Sequence, residues 1–340
     1  MVSEKDLRNS LKNYFRSEDL ARMADVVFSE TVSVDDFNNR KLNAFIIHKN
    51  KDYMTYILKN FKLNDGDVIF CNSDYLEVLF KSLKNKKIKN LKLLSHQSDR
   101  TINKKIFLKM PACIDKWYSI NVNFSNPHLI PIPIGLANKM YEKNLNPEKY
   151  SKELKHDDKI EKIYLNFNPN TNYFIRQNII QNYENNKDFH LNIKNLKNDE
   201  YMHELSKYKY ILCPPGNGID THRFWEALIA GSTPVAINSL NYKSFDNLGA
   251  IFLNNFENLS VEKLNINKRT NPTDLNKFFD MLTNEIFEKR KFTNLAEVNI
   301  EVNKNLLRFR KYKFNLISKA NLIYKPTRSI LLKIYFKIFK

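Results

Sequence analysis

The chain reads as short apolar runs set between amphipathic or charged stretches. In the first half, DVIFCN (67–72), LKLLSH (91–96) and HLIPIPIGL (128–136) are near-continuous apolar runs of strand length. Tyr75–Leu83, between the first two, has helical spacing. A second series follows: KIYLNFN (162–168), a helix over 173–184, FHLNI (189–193), a helix near 199–206, YKYILC (208–213), a helix over 221–230, TPVAI (233–237) and AIFL (250–253). Strands that alternate with helices and are apolar on both faces predict parallel sheets covered on both sides. Residues 140–161, between the two series, are charged, contain a proline and lack apolar periodicity, which marks a domain boundary. The pattern predicts an α/β chain with two parallel-sheet domains, 1–150 and 151–305, facing a cleft. Residues 306–340 then form C-terminal helices and a basic tail.

At 340 residues the chain exceeds a single typical core and suits two domains. Its three cysteines, Cys71, Cys113 and Cys213, are scattered, which argues against a disulfide framework or a Cys-based zinc site. The opening MVSEKDLRNSLKNYF has no apolar segment of the secretory kind, and a cytoplasmic location is expected. The net charge of +18 suggests nucleic acid until its position is considered. Arg308–Lys340 holds ten Lys and Arg and no acid, so the other 307 residues carry only +8. A nucleic-acid groove would spread basic residues over folded elements with aromatics among them, and no nucleic-acid partner is expected.

The densest chemistry lies in YKYILCPPGNGIDTHRFWEALIAGSTPVAI (208–237). Pro214 and Pro215 end a strand. Gly216-Asn217-Gly218 allows positive φ and close backbone approach. Asp220 is the expected N-cap of a helix starting at Thr221, and Gly231 its C′ residue. On a helical wheel Phe224, Trp225, Leu228 and Ile229 share one arc. His222, Arg223, Glu226, Ala227 and Ala230 share the other, where small residues beside charged ones look like space for a ligand. Helix N-termini beyond parallel strands bind anions, and Arg223 adds a bidentate cation for phosphate oxygens. Glu226 is placed to accept ribose hydroxyls; an Arg223–Glu226 surface ion pair is the plain alternative. No P-loop or full dinucleotide fingerprint is present.

This block resembles the C-terminal signature of exostosin-like glycosyltransferases of the two-Rossmann GT-B type, in particular bacterial and large-virus members that build surface glycans. LLSHQSDRTI (93–102), DKWYSINVNFSNPHLIPIPIGLAN (115–138) and IYLNFNPNTNYFIRQ (163–177) resemble further blocks of the group, so the resemblance covers roughly residues 65–240. It implies two Rossmann-like domains, a nucleotide-sugar donor held by the second and an acceptor approached from the first. It also implies no obligatory metal or cofactor, and an inverting reaction. Arg223 would face the diphosphate and Glu226 the ribose. Asn166, Asn168 and Arg176 would lie near the nucleotide, together with the turn residues Pro215, Gly216, Asn217, Gly218 and Asp220 and with His222.

Glycosyl transfer needs a base for the acceptor hydroxyl. His96 and Asp99, in the loop after an apolar strand, are the candidates, with Asp74 as rival. Asp65-Gly66-Asp67 matches a metal-nucleotide pattern but precedes its strand instead of ending it, and His48, His128, His156, His190 and His203 lack ligand-like pairing. SILLKIYFKIFK (329–340) forms a basic amphipathic helix on the wheel, with Lys333, Lys337 and Lys340 within about 60°. RFRKYKF (308–314) adds to it, and an anionic membrane surface is the expected partner. The sequence thus points to a glycosyltransferase of surface polysaccharide or lipopolysaccharide synthesis at the inner face of a membrane, acting on a glycan or lipid-linked glycan. The competing readings are a nucleotide-sugar epimerase or hydrolase, and a basic non-enzymatic nucleic-acid-binding protein.

Overall fold

The computed structural model describes residues 15–145, 159–266, 274–288 and 296–307. The first stretch contains α1 (Ser17–Met23), β1 (Val26–Ser33), α2 (Val34–Arg40), β2 (Ala44–Lys49), β3 (Tyr53–Leu58) and β4 (Asn60–Asn64). It continues with β5 (Val68–Asn72), α3 (Leu76–Leu83), β6 (Leu91–His96), α4 (Lys104–Phe107), β7 (Ile114–Ser119) and β8 (Leu129–Pro131). Seven of these strands form one sheet in the order β2-β3-β1-β5-β6-β7-β8.

From β1 to β8 each neighbouring pair is parallel, but β3 is antiparallel to both β1 and β2. The expectation of an all-parallel sheet is therefore corrected at one edge. Asn50 closes the β2–β3 hairpin, its Oδ1 accepting the N–H groups of Asp52 and Tyr53 at 2.9 and 2.7 Å. A connection this short can join only antiparallel neighbours. As the edge strand, β2 is half exposed and lacks the continuous apolar run that betrays its neighbours.

The second half contains β9 (Ile160–Leu165), α5 (Tyr173–Tyr183), β10 (Phe189–Leu191), α6 (Asn198–Lys207), β11 (Tyr208–Leu212), α7 (His222–Ile229), β12 (Thr233–Ile237) and β13 (Ile251–Leu253). After these come α8 (Val261–Ile266), α9 (Leu275–Phe287) and β14 (Glu297–Glu301). The expected strand–helix alternation holds within one to three residues at most ends. The five-stranded sheet is wholly parallel in the order β10-β9-β11-β12-β13. The chain steps from β9 to β10 on one side, then returns to place β11 on the other. Strand order thus reverses between β9 and β11. The two sheets are compatible with two Rossmann-like domains.

The pleat of the first sheet sends alternate residues to opposite faces. Ile69, Leu93 and Trp117 pack with α3 residues and with Ile300 of β14. Val68, Phe70, Leu94 and Tyr118 instead share a core with Phe224 and Trp225 of α7 and Phe279 and Ile286 of α9. Phe279 and Ile286 of α9 and Ile300 of β14 thus pack against residues of the first sheet. Phe279 stacks on Phe15 at 5.3 Å, and β14 pairs antiparallel with β4. Lys92, within β6, donates from Nζ to the carbonyls of Glu285, Ile286 and Glu288 at 2.8, 2.9 and 3.1 Å, capping the end of α9.

The predicted basic tail, with Lys333, Lys337 and Lys340, lies outside the described residues, as does most of the predicted boundary segment. Among the described residues no helix is long and apolar enough to cross a membrane.

Candidate functional site

Open parallel sheets bind ligands beyond the strand carboxyl ends, where strand order reverses. Here that position lies between the residues after β9 and those after β11. Asn166 follows β9 directly. Its Nδ2 donates to the Asn192 carbonyl at 2.6 Å, and its Oδ1 accepts from Arg223 Nη2 at 3.3 Å. The Arg223 guanidinium lies 5.8 Å from the centre of the Tyr201 ring, within cation–π range. The Tyr201 hydroxyl donates to Glu226 Oε2 at 2.6 Å. Arg223 Nε is buried and has no hydrogen-bond partner. The structure therefore brings Asn166, Arg223 and Glu226 together as expected, and adds Tyr201 from α6 between them.

Arg176 lies between the same two loops, where its donors are taken up by the protein itself. Its Nε donates to the Pro215 carbonyl at 3.1 Å and its Nη2 to the Pro214 carbonyl at 3.0 Å. Nη1 donates to the Asn168 carbonyl at 3.0 Å and to Thr171 Oγ1 at 2.6 Å. Arg176 therefore clamps the loop after β9 to the turn after β11. Burial, with Arg223 nearby, lowers its pKa to about 10. Asn168 is exposed, its Oδ1 accepting the Asn170 N–H of its own loop at 2.9 Å.

The glycines of the turn are explained by close approach alone. Neither Gly216 nor Gly218 has positive φ, which corrects that part of the reading. A Cβ on Gly218 would stand 2.7 Å from Asn121 Oδ1, and one on Gly216 3.0 Å from Arg176 Nη2. What approaches the backbone is the protein's own side chains. Asn217 is exposed at the tip, while the Gly216 carbonyl accepts from Asn172 Nδ2 at 3.2 Å.

Helix α7 starts one residue later than expected, with Thr221 as N-cap. Asp220 is instead a buried junction. Its carboxylate accepts the Thr221 N–H at 2.8 Å, Trp225 Nε1–H at 3.0 Å and the Tyr242 hydroxyl at 3.2 Å. It also accepts the N–H of Ile134, from the loop after β8, at 2.8 Å. Burial pushes its pKa up to about 6 despite these donors. Asn121 stitches the same seam, accepting the N–H groups of Ile219 and Asp220 at 2.8 and 3.2 Å. His222 joins in through Nδ1, 2.7 Å from the Gly135 carbonyl. The small residues on the polar arc of α7 leave no ligand space. Ala227 and Ala230 are fully buried in one cluster with Met202 and Leu205 of α6. Gly231 has φ of 66° at the C′ position, as expected.

Of the proposed bases, His96 is poorly suited to that task. His96 is buried at the end of β6, its Nδ1 accepting the Gln97 N–H at 2.7 Å. Burial and the nearby His222 lower its pKa to about 3, which makes it a weak proton acceptor. Asp99 is exposed on the following loop, where Asp74 Oδ1 accepts from Ser98 Oγ at 2.8 Å. That loop does reach the seam, since the Ser98 carbonyl accepts from Asn121 Nδ2 at 3.3 Å. Asp65 and Asp67 each accept a backbone N–H, from Lys89 at 2.9 Å and Asn64 at 2.7 Å. They shape the turn before β5.

Asn121, Tyr201 and Tyr242 escaped the sequence reading. Asn121 lies in a block already quoted for its resemblance, but no local pattern marks its contact with a turn almost a hundred residues later. No protein-family model matches the chain, and no curated protein matches it. Function is therefore inferred from the site's geometry and from the resemblance of residues 65–240.

Proposed function

We propose that the chain is a metal-independent, inverting glycosyltransferase of the GT-B type. It would move a sugar from a nucleotide-diphosphate sugar to a hydroxyl of a surface-glycan acceptor. The observation that carries this reading is the coincidence of Arg223 with the point where strand order reverses between β9 and β11. A buried N–H left without a partner costs stability, about 1–3 kcal/mol. Keeping one where parallel sheets bind ligands fits a diphosphate that would complete its hydrogen bonds. During transfer, negative charge grows on that leaving group, and a fixed guanidinium lowers the barrier. Asn166 and Tyr201 hold Arg223 in place, and Glu226 stands beside it for a ribose hydroxyl. The basic segment after residue 307 fits an acceptor carried at an anionic membrane surface.

The test is calorimetric titration of the full chain, without metal, against UDP, GDP, CDP and CMP. One nucleotide should bind saturably. Arg223→Ala should weaken it by about 10- to 100-fold, the loss of a charge-assisted hydrogen bond, and Glu226→Ala should also weaken it. Absence of binding, or binding indifferent to both substitutions, would refute the donor site.

A further inference from the structure

A concave site lies in the first half of the chain, at the carboxyl end of β1. It is a cleft of about 320 Å³ lined by Glu18, Thr31, Ser33, Asp36, Lys139 and Met140 among others. This is the lower end of the size range for small-molecule sites. Its polar groups are held in place. Glu18 Oε1 accepts the Lys139 N–H at 3.0 Å, and Lys139 Nζ stands 3.9 Å from Asp19. Arg40 Nε donates to Asp36 Oδ1 at 2.9 Å, and the Thr31 and Thr55 hydroxyls lie 2.8 Å apart. Behind the wall, Glu30 is wholly buried and bound by Arg22, by Arg40 and by the Tyr56 hydroxyl.

Fixed carboxylates and hydroxyls beside one flexible apolar side chain suit a ligand that donates many hydrogen bonds and has an apolar face. A sugar ring is such a ligand. Phosphate is disfavoured, because Glu18 and Asp36 would repel it and only Lys139 among the six named lining residues is cationic. The loop that borders this cleft also borders the proposed nucleotide site. Ile134 and Gly135 bond to Asp220 and His222 at one end of it, and Lys139 bonds to Glu18 at the other.

We infer that this cleft binds one uncharged sugar ring, with Glu18 and Asp36 accepting hydrogen bonds from its hydroxyls. Sugar binding here does not depend on the nucleotide site; its role as the acceptor terminus rests on the transferase reading.

Saturation-transfer NMR tests it on the full chain without nucleotide, using the methyl glycosides of glucose, galactose, mannose and N-acetylglucosamine. At least one should bind wild type. Glu18→Gln, which keeps an acceptor for Lys139 N–H, and Met140→Trp, which fills the cleft, should each weaken binding tenfold or more. Arg223→Ala should leave it unchanged. No binding by wild type, or wild-type binding in either folded variant, overturns the inference. Circular dichroism reports folding, and if Met140→Trp does not fold then Glu18→Gln decides alone. Glycoside binding without nucleotide binding would remove the donor site and keep this one; the converse result would do the opposite.

Discussion

The carboxylate of Asp220 accepts the backbone N–H of Ile134 at 2.8 Å, tying the start of α7 to the loop after β8. Burial raises its pKa from 3.8 to about 6, so the native state holds this proton more tightly than the unfolded chain does. The linked stability is fully present below the unfolded pKa and falls as pH rises towards the folded one, by about 3 kcal/mol in all. Asp220→Asn should abolish that slope. Urea denaturation across this range should show the wild-type advantage shrinking as pH rises to about 6, then holding constant. A difference independent of pH would refute the titration.

Gly218 faces the Asn121 side chain, whose Oδ1 and Nδ2 would stand 2.7 and 2.8 Å from an added Cβ. Gly218→Ala should therefore cost about 1–3 kcal/mol through overpacking. Asn121 itself has φ of 57°, a conformation that glycine adopts freely, so Asn121→Gly removes the obstacle without backbone strain. In that background Gly218→Ala should cost little, giving a coupling energy of about 1 kcal/mol or more in a double-mutant cycle. Additive effects would show that some other contact excludes the side chain.

The two arginines of the candidate site should separate cleanly. Arg176 bridges Pro214, Pro215, Asn168 and Thr171, so Arg176→Ala should cost about 2–4 kcal/mol by leaving several acceptors unpaired. Arg223→Ala should change stability far less and nucleotide affinity far more. Thermal melts and titrations on the same preparations measure both. Equal stability losses would mean that Arg223 also serves the fold.

Lys92 holds the last turn of α9 through three backbone carbonyls. Lys92→Met keeps the stem and removes the donors, at an expected cost of about 1–3 kcal/mol. Hydrogen exchange should quicken locally over residues 275–288. Unaltered exchange there would mean that aromatic packing around Phe279 alone secures the helix.

Much of the second half was legible because its signals are local. YKYILC, TPVAI and the stretch from His222 to Ile229 carry their own periodicity, and the end of α7 at Gly231 follows from one residue's freedom to adopt positive φ. The gathering of Asn166 with Arg223 and Glu226 was implied by the resemblance of residues 65–240, not by any local pattern. The hairpin of β2 and β3 was not, because a half-exposed edge strand has no continuous apolar run.

By itself, the sequence determined which segments of the second half between residues 160 and 253 become strands and helices and which end of that sheet carries polar groups, because backbone sterics and side-chain period act over a few residues. Tertiary structure alone decided what those polar groups do. Asp220 reads as a helix cap until Ile134 arrives from 86 residues away. Gly218 reads as a flexible turn until Asn121 fills the space beside it, and Ala227 and Ala230 read as ligand room until α6 packs there. A side chain's partners depend on which distant elements the topology brings together, and no local pattern encodes that pairing.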